Sequence, residues 1–274
     1  MIKKFLHLNF IIIFFIFITD SFAEDFYFAR LAAPHIAGEA LPGQFVNLKV
    51  NAAVTPFLRM PLSVCDVNPD AGYVDVLYQQ AGPKTQALCK QPIGEELSCL
   101  GPLGNPFTHP DKGTDCVLVG GGIGVPPMIF LGRRLMREGF DVALLIGARS
   151  AAKHLSDELL QGTALRIGRA TDDGSLGHCG LVTDLLRQEL ESAGSKVVYT
   201  CGPHAMIEAV ADVSREFDAA CQVSLEEYMA CGIGICVGCV VRVENAEGKT
   251  EYGDYKRICV DGPVFDAREI CWEH

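Results

Sequence analysis

Cys116-Val117-Leu118-Val119-Gly120-Gly121-Gly122-Ile123-Gly124-Val125-Pro126 runs a short apolar strand into a glycine loop and on into a helix start. Four apolar residues closed by turn signals suit a buried strand. A backbone without Cβ atoms can approach a pyrophosphate closely, and a helix N-terminus favours negative charge. Pro126 fits a first helical turn. The spacing is not a clean G-x-G-x-x-G, and no acidic residue stands at the usual ribose position. A plain βα turn is therefore the competing reading of Gly120, Gly121, Gly122 and Gly124.

Downstream the rhythm continues. Met128, Leu131 and Leu135 have helical spacing, and Gly139 can close that helix. Residues 142–146 read as a strand. Leu181, Leu185 and Leu186 begin a helix that ends before Gly194. Residues 197–199 read as a strand, and Met206, Val210 and Val213 share a helical face. Alternating strands and helices imply a parallel sheet covered on both faces. Cys201-Gly202-Pro203 follows a strand, where such sheets bind ligands; by itself the tripeptide is a turn.

Upstream, residues 24–105 read as β-rich. Val46, Leu48 and Val50 alternate, as do Val74, Val76 and Tyr78. Pro42-Gly43, residues 68–72 and Gly101-Pro102 are turn signals. Short strands at this spacing suggest a small barrel. Residues 1–23 have two readings. Lys3 and Lys4, the apolar run 10–18 and Ser21-Phe22-Ala23 resemble an export signal. The Ile and Phe content of that run suits a first β-strand, and Thr19-Asp20-Ser21 suits a turn. The strand is the preferred reading; a membrane-surface tether is a third.

Toward the C-terminus, Cys231, Cys236 and Cys239 give C-x4-C-x2-C, with nineteen residues between Cys239 and Cys259. This is the plant-type spacing for a [2Fe–2S] cluster. Gly232, Gly234 and Gly238 let N–H groups turn toward the sulfurs. Structural zinc sites usually pair two short knuckles, and only Cys236 and Cys239 form one; a zinc site and unliganded core cysteines stay as alternatives. The other eight cysteines are scattered singly and read as small, reduced, buried hydrophobes, which suits a reducing compartment.

The composition sets outer limits. The 274 residues carry 23 Lys+Arg against 34 Asp+Glu, a formal charge of −11. That balance argues against a nucleic-acid binder, which needs a basic face. With 49% apolar and 21% charged residues, the chain is globular rather than disordered. Twelve cysteines are too sparse for a disulfide scaffold. No run of 18 apolar residues suggests a spanning helix, and no internal repeat is found.

Taken in order, Pro42-Gly43-Gln44-Phe45-Val46, Pro61-Leu62-Ser63-Val64, residues 101–105, residues 120–126, Asp172-Asp173-Gly174-Ser175, Cys201-Gly202-Pro203 and the four cysteines resemble the electron-transfer subunits of class 1B dihydroorotate dehydrogenases, in the ferredoxin-reductase superfamily. The resemblance spans about residues 24–274. It implies a multidomain α+β fold: an FAD-binding antiparallel β-barrel (24–112), an α/β parallel-sheet NAD-binding domain (113–220) and a C-terminal [2Fe–2S] module (221–274). It implies that FAD meets Met60, Pro61, Leu62 and Ser63, then Leu77, Tyr78 and Gln79, then Lys84 and Thr85. Two departures stand out: Met60 replaces the arginine of the family's Arg-Pro-x-Ser motif, and Lys84 replaces a glycine. Arg59 or Lys84 is expected to supply the missing positive charge to the FAD pyrophosphate.

By the same resemblance, Gly120, Gly121, Gly122 and Gly124 cradle the NAD pyrophosphate, Cys201, Gly202 and Pro203 border the nicotinamide, and Cys231, Cys236, Cys239 and Cys259 hold the cluster. Arg149 and Ser150 are candidates for the adenosine ribose. Electrons from dihydroorotate oxidation, at FMN in a partner catalytic subunit, would pass through the cluster and FAD to NAD+, in pyrimidine (UMP) biosynthesis. A heterotetramer of two plus two chains and a cytoplasmic location are expected. Close alternatives are the reductase subunits of sulfide dehydrogenase, hydrogenase or NADP–ferredoxin bifurcating complexes; a zinc-stabilised interaction module is the alternative of another class. No nucleophilic triad is called for, and the seven histidines read as structural or exposed.

Overall fold

The computed structural model describes residues 10–23, 25–50, 57–244 and 252–272. Its first half is a closed antiparallel barrel. The elements are β1 (Phe10–Ala23), β2 (Phe26–Ala32), α1 (Pro34–Glu39), β3 (Phe45–Lys49), β4 (Met60–Asn68), β5 (Tyr73–Gln79), α2 (Pro83–Cys89) and β6 (Glu96–Leu103). The strand order is β1-β2-β5-β4-β3-β6. Leu31, Val46, Leu48, Val64, Val74 and Val76, all fully buried, fill its interior. The alternation expected around Val46 and Val74 thus becomes two of its walls. At the N-terminus a strand forms: β1 pairs with β2 on one side and β6 on the other, closing the barrel.

The second half is built from β7 (Asp115–Gly121), α3 (Val125–Arg137), β8 (Val142–Ala148), α4 (Asp157–Leu160), β9 (Arg166–Thr171), β10 (His178–Cys179), α5 (Val182–Glu191), β11 (Lys196–Cys201), α6 (His204–Glu216) and β12 (Ala220–Ser224). The hairpin β13 (Val240–Arg242) and β14 (Tyr255–Arg257) follows, and then β15 (Val264–Asp266). The main sheet runs β10-β9-β8-β7-β11-β12-β15, parallel except for β15. The C-terminal segment therefore returns to seal the sheet edge at β12. No helix among the described residues is long and apolar enough to cross a membrane.

Helix α3 joins the halves. Met128, Ile129, Leu131 and Leu135 pack on the sheet, while Phe130 is buried in the barrel core. Arg133 on α3 donates to Asp66 on β4 at 2.6 Å. Beside it Arg30 grips Asp75 with two hydrogen bonds of 2.7 and 2.8 Å. The expectation for the scattered cysteines needs correcting in part. Cys65, Cys99, Cys116, Cys201 and Cys221 are buried, and loss of hydration pushes the Cys99, Cys116 and Cys221 thiols up to about 12. Cys89 and Cys271 are half-buried, and Cys179 is exposed because it sits in the two-residue edge strand β10.

Candidate functional site: two adjoining pockets and a thiol loop

The C-terminal ends of the parallel strands face the barrel, and two pockets open between them. The first encloses about 250 Å³. Met60, Pro61, Leu62 and Ser63 of β4 line it, with Leu77, Tyr78 and Gln79 of β5 and Thr85 of α2. Antiparallel pairing explains part of the grouping, since Phe45, also in the wall, lies opposite Ser63. Thr85 shapes the lip: its hydroxyl accepts from the Ala81 and Gly82 N–H groups and donates to the Gly82 carbonyl. The opposite wall comes from Ile123, from Ser224 to Glu227, and from Met229 and Pro263.

No Lys, Arg or His is among the described residues that line this pocket, whereas Glu226 and Glu227 are. Glu226 opens onto the pocket, and the enclosure, by stripping its hydration, pushes its carboxyl above the ordinary range. Arg59 is turned away and fully engaged: it donates to the Asn47 carbonyl at 3.3 Å, the Ser98 carbonyl at 2.9 Å and the Ser98 hydroxyl at 2.8 Å. Lys84 Nζ donates to the Arg59 carbonyl at 3.0 Å, next to Met60. Neither candidate cation lines the pocket; each is adjacent in sequence to a lining residue, Arg59 to Met60 and Lys84 to Thr85, and Arg59 makes three side-chain hydrogen bonds to Lys84's one.

The second pocket encloses about 610 Å³. Gly121, Gly122, Pro203, Arg149 and Asp172 line it, and so does Gln79, which the two pockets share. Gly120, Gly124, Cys201 and Gly202 do not line it; the 120–124 loop instead crosses the 201–203 loop at contact distance. A Cβ on Gly124 would lie 2.2 Å from the Cys201 carbonyl oxygen. The glycines therefore divide their work: Gly121 and Gly122 face the cavity, and Gly124 permits the crossing. Asp173 accepts from the Ser175 hydroxyl and N–H, which holds its carboxyl low, and so forms a turn beside Asp172. His178 binds Asp184 at 2.9 Å and His204 packs edge-on against Trp272.

The cysteine loop follows the first pocket without a break: Met229 lines the pocket, and Cys231 comes two residues later. Pro263, four residues after Cys259, lines it from the other end. Asn105, beyond the end of β6, donates to the Asp261 carbonyl at 2.8 Å and fastens this module to the barrel. The four thiols lie close enough to influence one another: Cys231 is affected by Cys236, and Cys259 by both Cys239 and Cys231. Burial opposes charge on Cys231, but N–H groups of Cys236 and Ile233, at 3.4 and 3.5 Å from its sulfur, bring the thiol down to about 7. Cys259 is pushed up to about 12 by burial and by its neighbour Cys239. Val237, between two of the cysteines, is held at φ +53°, a strained conformation for a β-branched residue. Among the described residues no three or more donors converge as a single ion would need. The C-x4-C-x2-C spacing with a fourth cysteine, and N–H groups aimed at the Cys231 sulfur, fit a [2Fe–2S] cluster.

Two family models match the chain: the iron-sulfur cluster binding domain of dihydroorotate dehydrogenase B over residues 226–271, and an oxidoreductase NAD-binding domain over residues 118–212. The dihydroorotate dehydrogenase B (NAD(+)) electron transfer subunit of Shouchella clausii is 38% identical, covering 90% of this chain and 93% of that one. Its namesake from Desulforamulus reducens is 35% identical over 92% and 94%. The chain belongs to the family of dihydroorotate dehydrogenase B electron transfer subunits. Among solved structures, one of an NADH-dependent reduced ferredoxin-NADP oxidoreductase, described for flavin-based electron bifurcation, superposes with a TM-score of 0.83 at 29% identity, over 94% of this chain and 90% of that one. Phthalate dioxygenase reductase shares the fold, with a TM-score of 0.63 at 18% identity over 92% and 94%. The ferredoxin-reductase-like architecture expected from the motifs is thus the one found.

Sequence reasoning missed Ile123, Ser224, Glu226, Met229 and Pro263 as pocket walls. Ile123 lies inside the glycine loop; the other four belong to no motif, and a strand or loop end delivers each of them to the pocket.

Proposed function

We propose that the chain is the electron-transfer subunit of a dihydroorotate dehydrogenase, carrying electrons between a catalytic partner chain and NAD+ through a [2Fe–2S] cluster and FAD. The observation that carries this reading is the position of the first pocket. It shares Gln79 with the second pocket and is walled by both ends of the cysteine module. A flavin held there supplies the conversion between the paired electrons of a nicotinamide and the single electrons of a cluster.

The chain's own residues supply position. Phe45, Leu62, Leu77 and Met229 give the pocket apolar faces for a ring system, and Ser63 and Gln79 give it polar atoms. Lys84 is the cation for the pyrophosphate in place of the arginine that Met60 replaces. Gly121 and Gly122 open their backbone to the dinucleotide in the second pocket, with Arg149 and Asp172 near its other end. Cys231, Cys236, Cys239 and Cys259 are the cluster ligands. Tyr228 and Ile235 are strongly exposed beside them, and the partner chain is placed against that face. Two chains of each kind make up the assembly, in the cytoplasm.

The similarity to the bifurcating oxidoreductase favours a second reading, a reductase subunit of such a complex. Co-expression with an FMN-bearing dihydroorotate dehydrogenase catalytic chain separates the two. A stable complex that reduces NAD+ with dihydroorotate supports the first. Failure to associate, with flavin and iron both present in this chain, supports the second.

A further inference from the structure

Asn47 stands on β3 with its side chain under the cysteine loop. It is 1% exposed. Its Nδ2 donates to the carbonyl of Cys231 at 3.2 Å, across 184 residues of sequence. Its Oδ1 is buried and has no donor. A buried amide with half of its hydrogen bonding unmet is costly on a strand face that an aliphatic residue would fill better. The amide is explained if its N–H is needed where it points. The backbone on the other side agrees: Gly232 turns through φ +70° against Asn47, and a Cβ there would lie 2.5 Å from Nδ2. Arg59 donates to the Asn47 carbonyl and so braces the same residue from the barrel side.

We infer that Asn47 is a positioning residue for the cluster: it clamps the carbonyl of Cys231 and thereby fixes the turn that aims the Ile233 and Cys236 N–H groups at the Cys231 sulfur. This rests on the cofactor reading above and deepens it. N–H groups directed at cluster sulfurs favour the reduced, more negative state. Releasing the carbonyl lets the turn relax and weakens those bonds, so the cluster becomes harder to reduce. The same clamp joins a barrel strand that walls the flavin pocket, through Phe45, to the first cluster ligand.

The test uses two variants of the full chain, purified without oxygen. Asn47→Leu keeps the volume and removes the donor. Gly232→Ala attacks the same contact from the loop side and leaves the barrel intact. FAD content, iron content and flavin reduction by NADH are measured together with the cluster's reduction potential and the electron paramagnetic resonance spectrum of the reduced cluster.

Both variants are expected to keep FAD and NADH-driven flavin reduction. The reduced-to-oxidised ratio of the cluster at fixed potential should fall about fivefold, the size of one net hydrogen bond, or about 40 mV at 59 mV per tenfold, with altered resonance positions. Loss of iron with FAD retained also supports the clamp. An unchanged potential and spectrum in Asn47→Leu overturns it, and so does loss of FAD and iron together, which marks a barrel-folding role. A parent chain without iron or flavin refutes the cofactor reading itself.

Discussion

Gly124→Ala probes the crossing of the two loops that border the second pocket. The added Cβ would stand 2.2 Å from the Cys201 carbonyl oxygen, 2.3 Å from its carbon and 2.4 Å from the Gly202 nitrogen. All three are backbone atoms, fixed by the pairing of Thr200 with Val119 and Cys201 with Gly120. Ordinary contact begins near 3.4 Å, so the loops must part by about 1 Å. Forcing a methyl into such a site costs about 1–3 kcal/mol, and each kcal/mol lowers Tm by about 2–4 °C in a chain of this size. The parting also shifts Gly121, Gly122 and Pro203, which line the pocket. A 1 Å misplacement of reacting groups can cost about 10²-fold in rate. Stopped-flow reduction of the bound flavin by NADH is the assay, with flavin content and Tm as controls. Slower reduction, full flavin and a lower Tm are expected. An unchanged rate and Tm would mean the loops do not touch, and would refute the division of work among these glycines.

Lys84→Gln should weaken FAD binding about fivefold at low salt and less at high salt, as expected for one partly solvated charge; adding Met60→Arg should restore it, and flavin fluorescence titration measures both. Arg30→Met strands the buried Asp75 carboxylate and should destabilise the chain, toward the lower end of roughly 3–5 kcal/mol because Arg30 is partly solvated; Arg30→Met/Asp75→Leu should recover much of the loss in denaturant melts. Burial already raises the Asp75 pKa and Arg30 opposes this, so without Arg30 the folded state binds a proton more tightly than the unfolded one. The penalty of Arg30→Met should therefore be largest above the raised Asp75 pKa and shrink as pH falls through it. Deleting residues 1–23 removes β1 and leaves the edges of β2 and β6 unpaired; loss of bound flavin and aggregation should follow, whereas retained flavin in a soluble chain would show that the strand is dispensable.

Much of the fold could be read because local and global signals agree. The apolar run 116–119 became β7, and the spacing of Met128, Leu131 and Leu135 became α3, closed by Gly139 at φ +86°. Leu181 misled by its type: it precedes α5 and is exposed, while Val182 and Leu186 carry the buried face. The ordinary alternation of β3 hid Asn47, whose meaning depends on a loop 184 residues away. The glycine loop announced a phosphate cradle, but which glycine faces the cavity depends on where the 201–203 loop crosses. That crossing is set by the pairing of β7 with β11 and has no local signal. The cysteine loop was legible as a unit, because three cysteines lie within nine residues and a tight loop follows from that spacing; the matching iron-sulfur domain covers it. The return of β15 to the sheet edge was invisible, since three residues give no usable periodicity.

The central claim is that Cys231, Cys236, Cys239 and Cys259 hold two irons beside a flavin. Metal, acid-labile sulfide and flavin analysis of chain purified without oxygen tests it most directly. The account predicts about two irons, two sulfides and one FAD per chain, with iron lost and FAD kept in Cys239→Ser. One zinc per chain, or flavin-bearing chain with neither iron nor sulfide, would contradict it.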